Sequence, residues 1–189
     1  MKSCPEPQEV VIFEEYLGYR ILVCGMRVGV EDPVGALSAL ELPEGVRVQL
    51  YDPRAAASER QIALAFLCAV DSFHTGTNRA RRIEVEVLRY LACSTQIEQA
   101  IARAGVREGT REVGVMVIAE QGSDPKPVLK EVERALRGEL APEFTLRAEP
   151  LELLKNYGID PRRADRLPES EGAEREELLL LEEMVALRV

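Results

Sequence analysis

The feature that most constrains the fold is a helix that is apolar on nearly its whole surface. Ser58 and Gln61 have the spacing of a capping box, which predicts that the helix begins there. It runs to about Phe73 and ends before Gly76. A helix without a polar face must be covered on all sides, so we expect it to lie at the centre of the fold. Its apolar residues are Ile62, Ala65, Phe66, Ala69 and Phe73 on one face and Leu64, Leu67 and Cys68 on the other.

Five stretches of strand length supply the sheet that would cover this helix. Residues 10–13 and 19–28 are rich in Val, Ile and Leu, and residues 46–51 alternate between apolar and polar side chains with the period of a half-buried strand. Residues 113–119 form a continuous apolar run, which is typical of a strand buried on both faces. Residues 144–148 are predicted as a further strand.

Helix start and stop signals divide the rest of the chain. Thr95 and Glu98 form a second capping box, and the helix that follows is expected to bury Ile97, Ala100 and Ile101. A chain of 189 residues has the length of one domain. We therefore predict a single α+β domain over residues 1–189, in which one mixed β-sheet is covered by helices. The other predicted helices cover 34–40, 81–91, 125–137, 151–157 and 174–187, with a polar loop around 158–173.

Composition excludes several classes of protein. The formal net charge of −9 argues against a DNA-binding protein or any broad, non-specific nucleic-acid binder. No apolar run approaches the roughly 20 residues of a membrane helix, and the first residues lack a secretory signal, so we expect a cytoplasmic protein without a membrane partner. The four cysteines form no CxxC pair and His74 is the only histidine, so we expect buried, reduced thiols and neither a metal site nor a cofactor.

The charge is distributed unevenly along the chain. Residues 76–111, which we term the basic segment, contain seven arginines and four acidic side chains. Arg79 and Arg82 would share a helix face if a helix began at Arg79, and two guanidinium groups side by side suit a phosphate. The alternative is a solvated helix end in which Arg82 pairs with Glu86 at the spacing of one helical turn.

Catalytic motifs give little support to an enzyme. The sequence lacks a phosphate-binding loop, a nucleophile elbow and a metalloprotease motif. Asp71 lies close to His74 at the polar end of the central helix, where the two side chains have the chemistry of a general acid–base pair. The alternative is that Asp71 makes a hydrogen bond that only stabilises the helix end.

Residues 78–105 carry a resemblance to a known family. They read N-R-A-R-R-I-E-V-E-V-L-R-Y-L-A-C-S-T-Q-I-E-Q-A-I-A-R-A-G. This stretch resembles the smallest core subunit of the archaeal and eukaryotic KEOPS complex, the kinase-binding, TPRKB-like subunit. The C-terminal residues 180–187 also resemble the tail of that family, whereas Ala92 and Cys93 stand where it usually has Ser and Gly. The matching residues of the motif are Asn78, Glu86, Val87, Leu88, Tyr90, Leu91, Ser94, Gln96, Ile97, Ala100, Ile101 and Gly105.

The resemblance implies a non-catalytic subunit of a tRNA-modifying complex. Members of the family dock on the small atypical kinase of KEOPS, which acts as an ATPase, and help to activate it. Through that kinase they act indirectly on the ATPase subunit that transfers the threonylcarbamoyl group in the synthesis of threonylcarbamoyladenosine (t6A). They also bind the single-stranded 3′ CCA end of tRNA.

The same resemblance suggests which residues make these contacts. The backbone amides at the start of the helix after Gln96 are available to a phosphate or a base edge. Arg89 and Arg103 are expected to mark an exposed kinase-docking surface. Two alternatives stay open, a kinase-docking adaptor without RNA contact and an enzyme that uses Asp71 and His74. The residues expected to contact tRNA are Asn78, Arg79, Arg81, Arg82, Gln96 and Ile97, and no catalytic or metal-binding residue is assigned.

Overall fold

One β-sheet separates two layers of helices in the computed structural model, which describes residues 10–187. The strands are β1 (Val10–Tyr16), β2 (Tyr19–Arg27), β3 (Val46–Tyr51), β4 (Glu112–Glu120) and β5 (Glu139–Leu140). Their order in the sheet is β1-β2-β4-β3, and the short strand β5 pairs with the end of β2. The helices are α1 (Pro33–Ser38), α2 (Glu59–Thr75), α3 (Ile83–Leu91), α4 (Ile97–Ala104), α5 (Pro125–Leu136), α6 (Pro150–Tyr157) and α7 (Arg175–Ala186).

The central position of α2 is confirmed. Ile62, Ala65, Phe66 and Ala69 are completely buried, and α2 packs against α3 and α7 as well as the sheet side of the core. The Ser58 hydroxyl accepts a hydrogen bond from the backbone N–H of Gln61 and so begins the helix as the capping box predicts. The absence of a polar face therefore identified the element around which this layer forms.

The two sheet faces have separate apolar cores. One face packs against α2, α3 and part of α4, and the other packs against α1 and α5. β4 lies between β2 and β3 and is buried on both faces, as its unbroken apolar run predicts. Gly114 in β4 lies directly under the ring of Tyr51, where any side chain would collide with it. The Tyr51 hydroxyl donates to the carbonyl oxygen of Thr145 at 2.7 Å, which fixes the loop that contains Thr145 to the sheet.

The α+β class with one sheet covered by helices is confirmed, but the sheet is not mixed. All described strand pairs are antiparallel. Tyr51, the last residue of β3, lies opposite Gly114 near the start of β4, so the long helical connection brings the chain back to the end of the sheet that it left. A connection of that kind gives antiparallel neighbours, whereas a parallel pair requires a crossover to the opposite end.

Two local predictions are wrong. Residues 144–148 do not form a strand, because a 3-10 helix ends at Phe144 and the N–H of Ala148 donates to the Ala56 carbonyl in a loop. The Thr95 capping box does not form either. The helix begins at Ile97, and the hydroxyl of Ser94 accepts from the N–H of Gln96.

The C-terminal elements form a smaller apolar cluster beside the main core. Helices α6 and α7 pack against each other and bury Leu153, Leu154, Leu179 and Leu180. The predicted polar loop at 158–173 contains a 3-10 helix, Pro161–Arg166, and α7 lies within the predicted range 174–187. This cluster also contacts the turn after α3 through Cys93.

Candidate functional site

Helices α3 and α4 form the part of the molecule that carries most of the family motif. In α3 nearly every side chain is buried, including the charged groups Glu84, Glu86 and Arg89. Helix α4 is short and contributes only Ala100 and Ala104 to the buried core. Some charged side chains of the basic segment are therefore exposed, such as Arg79 and Arg81 in the loop before α3, whereas those of Glu84, Glu86 and Arg89 are enclosed within α3.

Glu86 and Arg89 form an ion pair that is removed from solvent. Their side chains are 0% and 1% exposed. The Nε and Nη2 groups of Arg89 donate to Oε1 of Glu86 at 3.0 and 2.7 Å, and the guanidinium lies 4.1 Å from the centre of the Tyr90 ring. Burial of two charges is costly unless all their hydrogen-bonding positions are used. Every nitrogen of the Arg89 guanidinium and both oxygens of the Glu86 carboxylate have a hydrogen-bond partner.

The buried pair holds two loops in place. Oε2 of Glu86 accepts from the backbone N–H groups of Arg79 and Ala80 at 3.3 and 2.8 Å, which fixes the loop before α3. Nη1 of Arg89 donates to the carbonyl oxygen of Ser94 at 3.0 Å, which fixes the turn before α4. The pair thus sets the position of one loop relative to the other, although neither charged group reaches the surface.

A surface depression lies where these two loops meet. It has a volume of about 490 Å³ and is lined by Arg79, Thr95, Gln96, Ile97 and Glu98. We term it the polar depression. No described side chain caps the first turn of α4, so its N–H groups are available to an acceptor. The charged side chains that line the polar depression are Arg79, which favours binding of an anion, and Glu98, which opposes it.

The structure brings together only some of the residues that are predicted to contact tRNA. Arg79, Gln96 and Ile97 meet in the polar depression. Asn78 instead supports its own loop, because its Nδ2 group donates to the carbonyl oxygen of Ala80. Arg81 is exposed outside the depression.

Arg82 has a different position from the one predicted. Helix α3 begins at Ile83, so Arg82 is its N-cap residue and does not share a helix face with Arg79. The alternative, in which Arg82 pairs with Glu86, is also wrong. The Nε group of Arg82 donates to Glu84, whose side chain is 1% exposed, whereas Glu86 pairs with Arg89. The spacing alone did not show which of the two acidic side chains faces the helix start.

The expectation that Arg89 and Arg103 lie exposed is wrong for Arg89 and holds only in part for Arg103. Arg89 belongs to the buried pair. Arg103 is half-buried, and its guanidinium donates to the carbonyl oxygens of Ala92, Cys93 and Tyr157. Arg103 thus joins α4, the turn after α3 and the end of α6. Both arginines make internal contacts that the sequence motif does not reveal.

The other candidate groups have local roles. The Tyr16 hydroxyl donates to Oδ1 of Asp71 at 3.1 Å, joining β1 to α2, while His74 is exposed in the last turn of α2. This favours the stabilising interpretation of Asp71. Within residues 10–187, no group of three or more His, Cys, Asp or Glu side chains is placed to hold a metal ion. Nor does this part of the chain contain a helix with the length and apolar character needed to cross a membrane.

The described part of the chain contains three cysteines, Cys24, Cys68 and Cys93. Cys24 and Cys68 are buried as expected, whereas Cys93 is only partly buried. Cys4 lies outside the described residues. Burial raises the pKa of the Cys93 thiol from 9.0 to about 12, with a smaller contribution from Glu183 and an opposing one from Arg103. Cys93 is therefore an unreactive thiol at neutral pH.

An apolar pocket on the other side of α4 is a surface feature that the sequence does not predict. Ile101 is predicted to be buried but is 50% exposed at this pocket. Helix α4 turns Ala100 and Ala104 inward, which leaves Ile101 on the outer surface. The feature that marks the pocket is the exposure of Ile101, an isoleucine of the family motif. The sequence does not show whether such a side chain is buried or exposed.

A known protein family matches most of the chain. The family model described as kinase binding protein CGI-121 matches residues 38–188, which include every element from β3 to α7. No curated protein matches the sequence. The matched range contains the buried ion pair, the polar depression and the apolar pocket apart from its wall in α1. The chain belongs to the CGI-121 family of kinase-binding proteins.

Proposed function

We propose that this chain is the non-catalytic, kinase-docking subunit of a KEOPS complex and that it also binds the 3′ CCA end of tRNA. It acts in the cytoplasm by docking on the small atypical kinase and helping to activate it, and it thereby supports t6A synthesis by the complex. The family match supports the kinase-docking part. The polar depression supports the tRNA part, because it combines an exposed arginine with the open first turn of α4.

The chemistry of the polar depression suits a short single-stranded ligand. Arg79 and the N–H groups of α4 are donors for phosphate oxygens or base edges. The depression is formed by two loops, so it offers one local attractive site on a protein with a net charge of −9. Binding is therefore expected to be of modest affinity and to weaken with salt, by a slope of roughly one for each phosphate contacted.

The test is a binding titration with intact tRNA and with the same tRNA lacking its CCA end, at low and moderate salt. Arg79→Glu should weaken binding of intact tRNA by about tenfold, which corresponds to about 1.4 kcal/mol. Glu98→Gln should strengthen it several-fold, because it removes the negative charge in the depression. Arg81→Glu makes the same charge change outside the depression and is the matched control. Arg82 is unsuitable because it pairs with buried Glu84.

Opposite effects of Arg79→Glu and Glu98→Gln, together with dependence on the CCA end, would support the depression as the tRNA site. Equal losses in Arg79→Glu and Arg81→Glu would indicate a diffuse charge effect and reject it. Binding that persists without the CCA end would reject recognition of that end.

A second candidate is a kinase-docking adaptor that does not contact RNA. The net charge of −9 and the presence of Glu98 within the depression favour it. It predicts that the wild-type chain binds the kinase and shows no tRNA binding even at low salt. In that case the charge-changing variants in the depression would leave kinase affinity unchanged.

A further inference from the structure

The apolar pocket lies between α1 and the α3–α4 pair, with β3 between them. Its volume is about 220 Å³, and its apolar walls include Val34 and Leu37 from α1, Val85 and Leu88 from α3, and Ile101 and Val106 from α4 and the residues after it. Val34 is 45% exposed and Ile101 is 50% exposed. Of the five large apolar side chains that are strongly exposed in the described part of the chain, two therefore border this one pocket.

The floor of the pocket excludes an added β-strand. Gly45 accepts a hydrogen bond from Glu120, so alternate residues of β3, among them Val48 and Leu50, direct their backbone groups to the outer edge. The carbonyl oxygen of Leu50 is already occupied by the side chain of Gln49, and Val48 and Leu50 are 4% and 2% exposed. An extended peptide has no open edge to pair with, whereas a single side chain has room to enter.

The lining also argues against a nucleobase as occupant. No aromatic side chain lines the pocket, and unpaired bases are usually held by stacking on aromatic rings or on arginine. Arg82 is the pocket's one charged lining residue, and its side chain is 66% exposed. Its Nε group is occupied by Glu84, which leaves the ends of the guanidinium to an outside partner. An apolar pocket with one cation at its border suits a protein surface that presents an apolar side chain next to a carboxylate.

We propose that the kinase partner inserts an apolar side chain into this pocket and places an acidic side chain against Arg82. The proposal rests on the kinase-docking function proposed above and adds the location of that contact. Insertion would cover Val34 and Ile101 and bury their apolar surface, which is the main source of favourable free energy at such contacts. It also accounts for an isoleucine that stays exposed on a helix whose inward-facing residues are Ala100 and Ala104.

The experiment is a titration of the full chain with the purified kinase. Ile101→Glu places a charge at the pocket while keeping a good helix-forming residue, and it should weaken kinase binding at least tenfold. Val34→Glu tests the opposite wall and should have an effect in the same direction. The matched control is Val185→Glu, an equally drastic change at an exposed apolar residue of α7 that is 43% exposed, and it should stay within about twofold of the wild type. Circular dichroism of each variant verifies folding.

Each outcome bears on the pocket. Losses in Ile101→Glu and Val34→Glu but not in Val185→Glu support it. Wild-type binding that survives both pocket variants overturns the pocket proposal and leaves the kinase-docking function standing. A wild-type chain that does not bind the kinase overturns that function together with the pocket's occupant. Loss of tRNA binding or of self-association in Ile101→Glu, with kinase affinity unchanged, assigns the pocket to RNA or to a second copy of the chain and also overturns the proposal.

Discussion

Glu84 and Glu86 lie two residues apart on α3 and are both completely buried, but their carboxylates have very different surroundings. Glu86 has partners at both oxygens, and its cation, Arg89, is as buried as Glu86 itself. Glu84 has one oxygen on Arg82, while its Oε2 has no hydrogen-bond partner among the described residues. One carboxylate is part of a closed internal network, and the other depends on an exposed side chain.

The comparison shows two uses of a buried carboxylate. Glu86 determines the shape of the polar depression through contacts that water and salt do not reach, because the pair is enclosed by the core. Glu84 fixes the position of Arg82, whose guanidinium remains in solvent at the apolar pocket. The first arrangement gives rigidity to a surface, and the second presents a charge to a partner. Variants of the two cations separate these roles.

Arg89→Met should have the largest effect. It leaves the buried Glu86 carboxylate without its cation, and breaking a buried pair from one side typically costs about 3–5 kcal/mol of the free energy of unfolding. Urea denaturation at neutral pH measures the loss. The double variant Glu86→Gln with Arg89→Met is the control, and it should recover part of the stability because no charge remains buried. A loss below about 1 kcal/mol in Arg89→Met would show that this pair is not essential to the core.

Arg82→Ala should have a smaller effect, about 1–2 kcal/mol, because it removes the partner of one buried oxygen while water can approach from the exposed side. The same urea experiment measures it, and Arg81→Ala, an exposed neighbour, should change stability by no more than about 0.5 kcal/mol. Glu84→Gln added to Arg82→Ala should restore most of the loss. Equal stabilities of Arg82→Ala and Arg81→Ala would contradict the dependence of Glu84 on Arg82.

Salt sharpens the same comparison. At about 1 M salt the screening length falls to about 3 Å, so the difference between wild type and Arg82→Ala should shrink. The difference between wild type and Arg89→Met should persist, because that pair is shielded from ions by the core. The two ion pairs are thus expected to differ in how their contribution to stability responds to salt, as well as in the size of that contribution.

The elements of the fold were predictable from the sequence where one physical pattern dominates. The apolar surface of α2 and the apolar run of β4 each require burial on every side, and both elements lie where those patterns place them. Strand direction was not predictable in the same way, because it depends on where the long connection between β3 and β4 returns. Residues 144–148 look like a strand, but the N–H groups of Arg147 and Ala148 donate to the carbonyl oxygen of Ala56 in a loop instead.

The candidate site was predictable only in part. Arg79, Gln96 and Ile97 meet in the polar depression, because only the short helix α3 separates the loop before it from the start of α4 and both ends lie close in space. The burial of Arg89 was not predictable, because a Glu–Arg spacing of three residues occurs equally on exposed helices. The exposure of Ile101 was missed because α4 packs through alanines, whose small side chains give little periodic signal.

Cys93 extends the comparison from paired charges to a partly buried thiol that stays neutral. It lies in the turn after α3 with a φ of +45°, and its pKa is raised from 9.0 to about 12, mainly because burial disfavours the thiolate. A raised thiol pKa means that the folded state keeps its proton longer than the unfolded state. Stability is therefore unaffected below pH 9 and falls as the pH rises from about 9 toward 12.

The Cys93→Ala variant isolates this contribution. Between pH 8 and pH 10, wild type should lose about 1 kcal/mol more of its free energy of unfolding than Cys93→Ala, because only the wild-type chain gains a thiolate at this position on unfolding. Tyr51, whose pKa is also raised by burial, ionises on unfolding in both proteins and so cancels in the difference. Urea denaturation across this range measures it. Parallel pH profiles would mean that Arg103 offsets the burial of Cys93, so that the thiolate would join Glu86 as a buried anion with an adequate cation.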